Sequence, residues 1–366
     1  MFKSLIVLFF AGSAIISTAS ADLNDSTDGS LKVEVLEFRE LRDSTREAAP
    51  KPTRFRIFRR NRSAPETGQG RKVPIKLHIP TSGGPYPVVI ISHGAGGNWD
   101  THYAQAKYLA SHGYAVLCVE HVGSNTERMK SSIRVLHNLK EMIHDSHEVL
   151  GRPKDVSFAI NQATQWNQEH QKLKGRLDLS HVGVMGHSFG AFTTMVVTGM
   201  RPALDWIEPK VAPGSGLGPN LSDERVKCGI ALSPQAPGDP FFLKESYSSL
   251  RVPLMGISGT KDKQQNGEPP IARYESFKLW PEMQKKNLFV WLGNASHLDF
   301  TDSTGGDVQG RESSSRADVQ NVVRPATLMF FNKCLKNDNS PSALITTESL
   351  KPYIRGEINS IEVLSK

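Results

Sequence analysis

The sequence predicts an α/β fold with a mostly parallel central sheet and helices on both faces. Short apolar runs recur along the chain, with segments of helical length between them. Most of these runs are continuously apolar, as expected for strands that are covered on both faces. Strands are predicted over residues 32–38, 72–79, 87–92, 115–120, 182–185, 226–232, 252–258 and 287–292. Helices are predicted over residues 101–111, 155–170 and 321–335.

The first 21 residues have the pattern of a secretory signal peptide. Lys3 precedes an apolar run from Leu5 to Ile16, and Ala19-Ser20-Ala21 supplies a small-x-small cleavage site. The apolar core of about 12 residues is shorter than the roughly 20 that span a bilayer. No other segment is apolar enough to cross a membrane, so we expect a secreted or periplasmic protein without a stable membrane span.

The remainder of the chain predicts one main domain. Residues 22–70 are polar and irregular and form an N-terminal extension, in which the alternating basic run over 54–62 predicts an edge strand with a solvated charged face. No Gly/Ser/Pro-rich linker divides the middle of the chain. We therefore place the main domain at 71–340 and a C-terminal tail at 341–366.

The charge and the cysteine content of the chain argue against a nucleic-acid partner and a cysteine-bound metal. The chain of 366 residues has 44 Lys and Arg against 37 Asp and Glu, a formal net charge of +7. No basic block with interleaved aromatics predicts a nucleic-acid groove. Cys118, Cys228 and Cys334 have no metal-binding spacing. The first two lie in apolar strand-like runs and are interpreted as core residues, while a pairing of any two stays open.

Two segments, 127–150 and 203–223, are candidate cap or substrate loops. The first is amphipathic and could cover a site, because its apolar residues recur at helical spacing. It also carries three histidines on one helix face: His137, His144 and His147. No carboxylate or cysteine signature accompanies them, so a metal site there is a minor hypothesis.

Gly186-His187-Ser188-Phe189-Gly190 follows a predicted strand and has the pattern of a nucleophile elbow. In such an elbow the central residue takes strained backbone angles, and the flanking positions lack side chains so that the next helix can pass. The first N–H groups of that helix would point back to where negative charge develops during acyl transfer. Ser188 is therefore the candidate nucleophile. The alternative is a plain Gly-Ser turn.

A serine nucleophile needs a histidine that takes its proton and a carboxylate that orients the histidine. Asp262 follows one later predicted strand through a Gly-containing turn, and His297 follows the next strand. His297 is the only histidine after Ser188, so a base in this chain order must be His297. Asp239 is the rival acid, and Asp299 is interpreted as holding the histidine loop.

The negative oxygen formed in acyl transfer needs two N–H donors. The residue after the nucleophile, Phe189, would supply one. The strand predicted at 87–92 runs into Ser92-His93-Gly94-Ala95-Gly96-Gly97, where glycines let the backbone turn its amides toward a ligand, and Ala95 is the candidate second donor. No Gly-Lys-Ser/Thr spacing follows, which disfavours a nucleotide loop.

From about residue 71 to 335 the chain resembles the secreted dienelactone-hydrolase-like and platelet-activating-factor-acetylhydrolase-like branch of the α/β hydrolases. The matching pieces are residues 87–97, 109–114, 120–121, 186–191, 258–262 and 297–300. The resemblance implies an α/β-hydrolase fold and serine carboxylic-ester hydrolysis without a metal or organic cofactor. It implies Ser188, Asp262 and His297 as the triad, with Ala95 and Phe189 as oxyanion donors. Dienelactone hydrolases use a cysteine nucleophile, from which the serine here departs.

The leading hypothesis is an exported serine esterase that forms an acyl-enzyme on Ser188 with a small-molecule or lipid ester, short-acyl lipid esters being one candidate class. An alternative is a polyester hydrolase of the cutinase type, for which Trp99 and Tyr103 are candidate substrate-lining residues. A third reading, from another class, is a non-catalytic α/β-hydrolase-fold binding protein. Its mark would be a missing triad member, and none is missing.

Overall fold

A computed structural model describes residues 28–48, 70–302 and 315–366 of the chain. The signal-peptide pattern and the edge strand predicted over 54–62 lie outside these residues. In the described part, the strands are β1 Val33–Phe38, β2 Arg42–Asp43, β3 Arg71–Lys72, β4 Ile75–Pro80, β5 Tyr86–Ser92, β6 Ala115–Val119, β7 Leu177–His187, β8 Val226–Leu232, β9 Leu254–Lys261, β10 Leu288–Ser296 and β11 Ile361–Ser365.

Helices connect most of the strands. They are α1 Tyr103–Ser111, α2 Thr126–Met129, α3 Val135–His144, α4 Ser146–Val149, α5 Gly151–Glu169, α6 Phe189–Val197, α7 Ile271–Ser276, α8 Arg316–Leu335 and α9 Thr347–Leu350. The three helices predicted from sequence correspond to α1, α5 and α8. No helix among the described residues is long and apolar enough to cross a membrane.

Nine strands form the main sheet in the order β1-β4-β6-β5-β7-β8-β9-β10-β11. The strands from β6 to β10 in this order are parallel, and antiparallel strands flank them on both sides. This confirms the predicted α/β fold. The strand β11 lies within the segment assigned to the C-terminal tail and pairs with β10.

Alternate residues of the central strands fill two separate cores. On β5, Val89 and Ile91 pack under α1 and α8, whereas Val88 and Ile90 pack on the opposite face with α5. Burial on both faces explains why this strand is continuously apolar in sequence. Cys118 and Cys228 are buried as predicted, and all three cysteines are free thiols.

Strand order brings the candidate site residues to one edge of the sheet. From β5 the chain passes to β6 on one side and later to β7 on the other, so the loops after β5 and β7 diverge at the carboxyl ends of adjacent strands. A crevice at such a switch point is the usual ligand site of open α/β sheets. Asp262 and His297 follow β9 and β10 at the same edge.

Candidate active site

Ser188 stands in a strained turn between β7 and α6. Its backbone angles are φ 57° and ψ −115°, a conformation that costs a non-glycine residue free energy. A Cβ atom on Gly190 would lie 1.9 Å from the carbonyl oxygen of Ser92, and one on Gly186 would lie 2.4 Å from that of Gly190. Both glycines are therefore required for α6 to pass this close to β5, as the elbow pattern predicts.

Ser188, His297 and Asp262 are joined by hydrogen bonds. The Ser188 hydroxyl lies 2.9 Å from His297 Nε2, and His297 Nδ1 lies 2.7 Å from Asp262 Oδ1. A carboxylate oxygen only accepts, so Nδ1 carries the proton and Nε2 is free to take one from the serine. This is the geometry of a serine nucleophile with its base and orienting acid.

The rival acid lies elsewhere. Asp239 Oδ1 is 2.7 Å from His144 Nε2 at the surface, far along the chain from the His297 turn. Asp299, by contrast, is buried in that turn, where its Oδ2 accepts hydrogen bonds from the backbone N–H and the hydroxyl of Ser296 at 2.7 and 2.8 Å. It thereby fixes the turn that presents His297, in agreement with the sequence interpretation.

A buried arginine holds the carboxylate of Asp262 in its charged form. Burial alone would raise the pKa of Asp262, but the positive charge of Arg273 and the hydrogen bond from His297 hold it well below its usual range. Arg273 Nε lies 3.3 Å from Asp262 Oδ1, and its Nη1 donates to the carbonyls of Ser233 and Pro234 at 3.1 and 2.7 Å. Sequence reasoning missed Arg273, because no motif surrounds it.

His187 was also missed, although it is the second residue of the elbow pattern itself. Its Nε2 donates to the carbonyl oxygen of His297 at 2.8 Å, and the two rings are 4.7 Å apart. Burial, and then the proximity of His297, lower the pKa of His187 well below its ordinary value. His187 is therefore a neutral side chain that ties the nucleophile turn to the base turn.

The candidate oxyanion donors flank Ser188. Phe189 is the first residue of α6, and its backbone N–H has no partner within the helix. Ala95 lies in the loop after β5, which is held in place by hydrogen bonds from the Gly96 amide to Ser124 at 2.9 Å and from the Gly97 amide to Gly94 at 3.1 Å. Gly94 packs near the Ser188 side chain, so this loop and the elbow face each other.

A cavity of about 300 Å³ opens in front of Ser188 and His297. One wall is the Gly94–Asn98 loop, and another consists of Met129, Leu136 and Leu139 from the α2–α3 segment. Residues 126–144, called the lid below, thus cover part of the site, as the amphipathic pattern of 127–150 suggested.

Trp99 and Tyr103 do not belong to the described lining of this cavity. The Trp99 ring is 8% exposed and lies 4.8 Å from the Lys76 ammonium and 4.9 Å from the Arg39 guanidinium. Tyr103 lies edge-on against His78 at the surface. Both follow the Gly-rich loop in sequence, but Trp99 packs against Lys76 and Arg39 in the turn before α1, and Tyr103 is the first residue of α1. Neither lines the described cavity, which corrects their assignment to the substrate cleft.

The three histidines of the 127–150 segment, His137, His144 and His147, do not form a metal site. His144 engages both ring nitrogens, with Asp239 and with the carbonyl of Lys140 at 2.7 Å. His137 lies 3.3 Å from Glu141, on its own helix. Across the described ranges no group of three or more His, Cys, Asp or Glu side chains is arranged to hold a metal ion.

The sheet order, the strained elbow and the Ser188–His297–Asp262 geometry define an α/β hydrolase. The model of the family described as platelet-activating factor acetylhydrolase, isoform II, matches residues 71–132 and 126–305, and the chain belongs to this family. It is 25% identical over 304 residues to a platelet-activating factor acetylhydrolase of Cavia porcellus, covering 74% of this chain and 62% of the relative.

Two further relatives are similar to this chain over half of its length or more. A platelet-activating factor acetylhydrolase of Canis lupus familiaris is 26% identical over 290 residues, covering 69% of this chain and 58% of the relative. Cutinase 2 of Thermobifida cellulosilytica is 23% identical over 188 residues, covering 51% of this chain and 52% of the relative. The chain therefore spans between about half and three fifths of the length of these curated relatives.

Proposed function

We propose that this chain hydrolyses carboxylic esters through an acyl-enzyme on Ser188. The observation that carries the proposal is the pair of hydrogen bonds, 2.9 Å and 2.7 Å long, that joins Ser188 to His297 and His297 to Asp262 beside a cavity. A serine hydroxyl is a weak nucleophile unless a base takes its proton, and this arrangement supplies that base.

In the first half-reaction Ser188 Oγ bonds to the ester carbonyl carbon while His297 Nε2 takes the hydroxyl proton. The carbonyl oxygen becomes negative and receives hydrogen bonds from the N–H groups of Ala95 and Phe189. The tetrahedral intermediate collapses, the C–O bond to the alcohol breaks, and His297 returns the proton to the leaving alcohol. Water then repeats the sequence on the acyl-enzyme, which releases the acid and regenerates Ser188.

Short-acyl lipid esters are the proposed substrate class. The cavity of about 300 Å³ is at the lower end of the range for small-molecule sites, and its lid wall is apolar. Two relatives named platelet-activating factor acetylhydrolase support an ester of a lipid. A polyester substrate is the second candidate, favoured by the similarity to a protein named Cutinase 2.

Export completes the proposal and rests on the signal-peptide pattern of residues 1–21, with the mature chain beginning near Asp22. The catalytic unit is proposed to be residues 71–340. An oxidising compartment is compatible with a chain whose three thiols are buried or half-buried.

The test is covalent labelling together with ester hydrolysis. An organophosphonate should modify the wild-type protein at Ser188, identified by peptide mass spectrometry, and Ser188→Ala should lose both the label and at least about four powers of ten in kcat/KM on p-nitrophenyl acetate. Acyl-chain series, a short-acyl phospholipid and an insoluble polyester separate the substrate classes. Wild-type rates in Ser188→Ala, or a protein that binds esters without turnover, would refute the proposal.

A further inference from the structure

Arg152, near the start of α5, lies directly behind the candidate oxyanion loop. Its side chain is fully buried. Nε donates to Thr193 Oγ1 at 3.2 Å, Nη1 to Ser124 Oγ at 3.0 Å, and Nη2 to Ser92 Oγ at 3.2 Å and to the carbonyl oxygen of His93. All four acceptors are neutral, so this cation is not simply one half of an ion pair.

The same guanidinium also contacts the second half of the oxyanion hole. It stacks over the Phe189 ring at 4.2 Å, and Thr193, which accepts from its Nε, donates in turn to the carbonyl of Phe189 at 2.9 Å. Arg152 therefore touches the loop that carries Ala95 and the helix turn that carries the Phe189 amide. The planar, branched guanidinium can do this from one side chain, whereas an ammonium group is a single point of charge.

The neighbouring carbonyl is fixed by a histidine with a defined tautomer. The backbone N–H of His121 donates to His93 Nε2 at 3.0 Å, so Nε2 carries no proton. His93 Nδ1 must then carry it, and it donates to the carbonyl oxygen of Gly94 at 2.7 Å. Burial, and next the charge of Arg152, lower the pKa of His93 well below its usual range, so the ring stays neutral.

These bonds determine where the Ala95 N–H points. In a trans peptide the C=O and N–H groups point in opposite directions. The Gly94 carbonyl is held by the His93 ring and by the Gly97 amide at 3.1 Å, so the N–H on the other side of the same peptide, that of Ala95, is directed away from them. Ala95 lines the cavity together with Ser188.

We infer that Arg152 is a positioning residue of the oxyanion hole: by holding the His93 carbonyl and the Phe189 turn, it keeps the Ala95 and Phe189 amides aimed at one point. This inference rests on the proposed function. Burial lowers the pKa of Arg152 to about 9, so the group is still cationic at neutral pH.

The inference predicts a selective loss of transition-state binding. A trifluoromethyl ketone adds the serine hydroxyl at its carbonyl carbon and forms an oxyanion, whereas the secondary alcohol with the same chain has no carbonyl group and occupies the cavity without forming one. In Arg152→Lys and Arg152→Met we expect kcat and trifluoromethyl ketone affinity to fall about 10- to 1000-fold. KM and the affinity for the alcohol should change less than about threefold.

Two further variants separate positioning from general destabilisation. Ile160→Ala removes a fully buried side chain from the same helix without touching the loop, so it should lower the melting temperature but leave the ratio of the two affinities unchanged. Thr193→Val removes the hydroxyl that links Arg152 Nε to the Phe189 carbonyl while leaving Arg152 itself in place, and a three- to tenfold loss of trifluoromethyl ketone affinity is expected there. It provides the readout even where both Arg152 variants fail to fold.

The outcomes are distinguishable from those of the proposed function. Failure of an organophosphonate to label Ser188 in the wild-type protein would remove both claims. Normal labelling together with an unchanged affinity ratio in the Arg152 variants, or in Thr193→Val where these do not fold, would overturn the inference alone. An equal fall in both affinities would also overturn it, since that is the result of a merely structural arginine.

Discussion

The two sides of the cavity are built in different ways. Behind Ser188 lies a buried wall, formed by the 93–97 loop and the side chains that support it. Its supporting groups are at most 1% exposed and are joined by hydrogen bonds; they are Arg152, His93, His121 and Asp155. The lid facing it consists of two short helices, and Ile133 and Leu136 on it are 93% and 72% exposed.

The difference separates the tasks of catalysis and substrate selection. Donors that stabilise developing charge must be held in place before the reaction, which a dense network of hydrogen bonds achieves. A surface that accepts acyl chains needs apolar area and tolerates movement, because dispersion and hydrophobic contacts are not directional. We therefore expect substitutions in the wall and triad to change rates and stability strongly, and substitutions in the lid to change substrate preference weakly.

The largest expected effect separates the two candidate acids. Asp262→Asn keeps the shape of the side chain but allows the wrong tautomer of His297, and should lower kcat by about 10³- to 10⁴-fold. Asp239→Asn is the matched control, since the carboxylate of this exposed aspartate bonds to His144 of the lid and not to His297, and its kcat should stay within about twofold. Hydrolysis of p-nitrophenyl acetate measures both. Equal losses would contradict the choice of Asp262 over Asp239 as the acid, and with it the separation of the triad from the lid.

The same regions differ in how much of their structure could be predicted from the sequence. The strands, the elbow and the order of Ser188, Asp262 and His297 could be predicted because each has a local signal in the sequence. A strand is marked by an apolar run, the elbow by a pair of glycines, and the acid and the base by their positions just after predicted strands. The roles of Arg152 and Arg273 could not be predicted, because they depend on hydrogen-bond acceptors that are distant in sequence. Ser92, for example, lies 60 positions before Arg152. The prediction that Trp99 lines the substrate cleft was wrong for the same reason, since its contacts Lys76 and Arg39 come from other parts of the sequence.

A second effect of intermediate size is the acid sensitivity of the wall. Burial, and next the charge of Arg152, lower the pKa of His121 to about 4, from an ordinary value near 6.5. The folded state then binds fewer protons than the unfolded state between these values, so stability falls as pH drops below about 6.5. One such group accounts for about 1.5 kcal/mol between pH 6.5 and pH 5, because the imidazole of the unfolded chain is already half protonated at pH 6.5.

Urea unfolding at pH 7, 6 and 5 measures this loss. His121→Asn should have a shallower dependence of the unfolding free energy on pH, because it removes one of the groups that titrate only on unfolding. Leu136→Ala, in the lid, removes no titratable group and should keep the wild-type slope. A His121→Asn protein with the wild-type slope would show that the buried imidazole of the wall does not contribute to the acid sensitivity.

The smallest expected effect belongs to the lid. Leu136 lines the cavity while 72% of its surface is exposed, so Leu136→Ala loses little of the burial that stabilises the fold, and the free energy of unfolding should change by less than about 0.5 kcal/mol.

Each CH₂ group of an acyl chain that contacts this side chain is worth at most about 0.8 kcal/mol when fully buried. The kcat/KM for butanoyl and hexanoyl esters should therefore fall about three- to tenfold relative to the acetyl ester, whose acyl group has fewer CH₂ groups to place against this side chain. Ile133→Ala is the matched control, because this nearly fully exposed residue of the lid segment is absent from the described lining of the cavity. A uniform fall across acyl lengths in Leu136→Ala would mean that the lid acts on the chemical step and shares the task assigned to the wall.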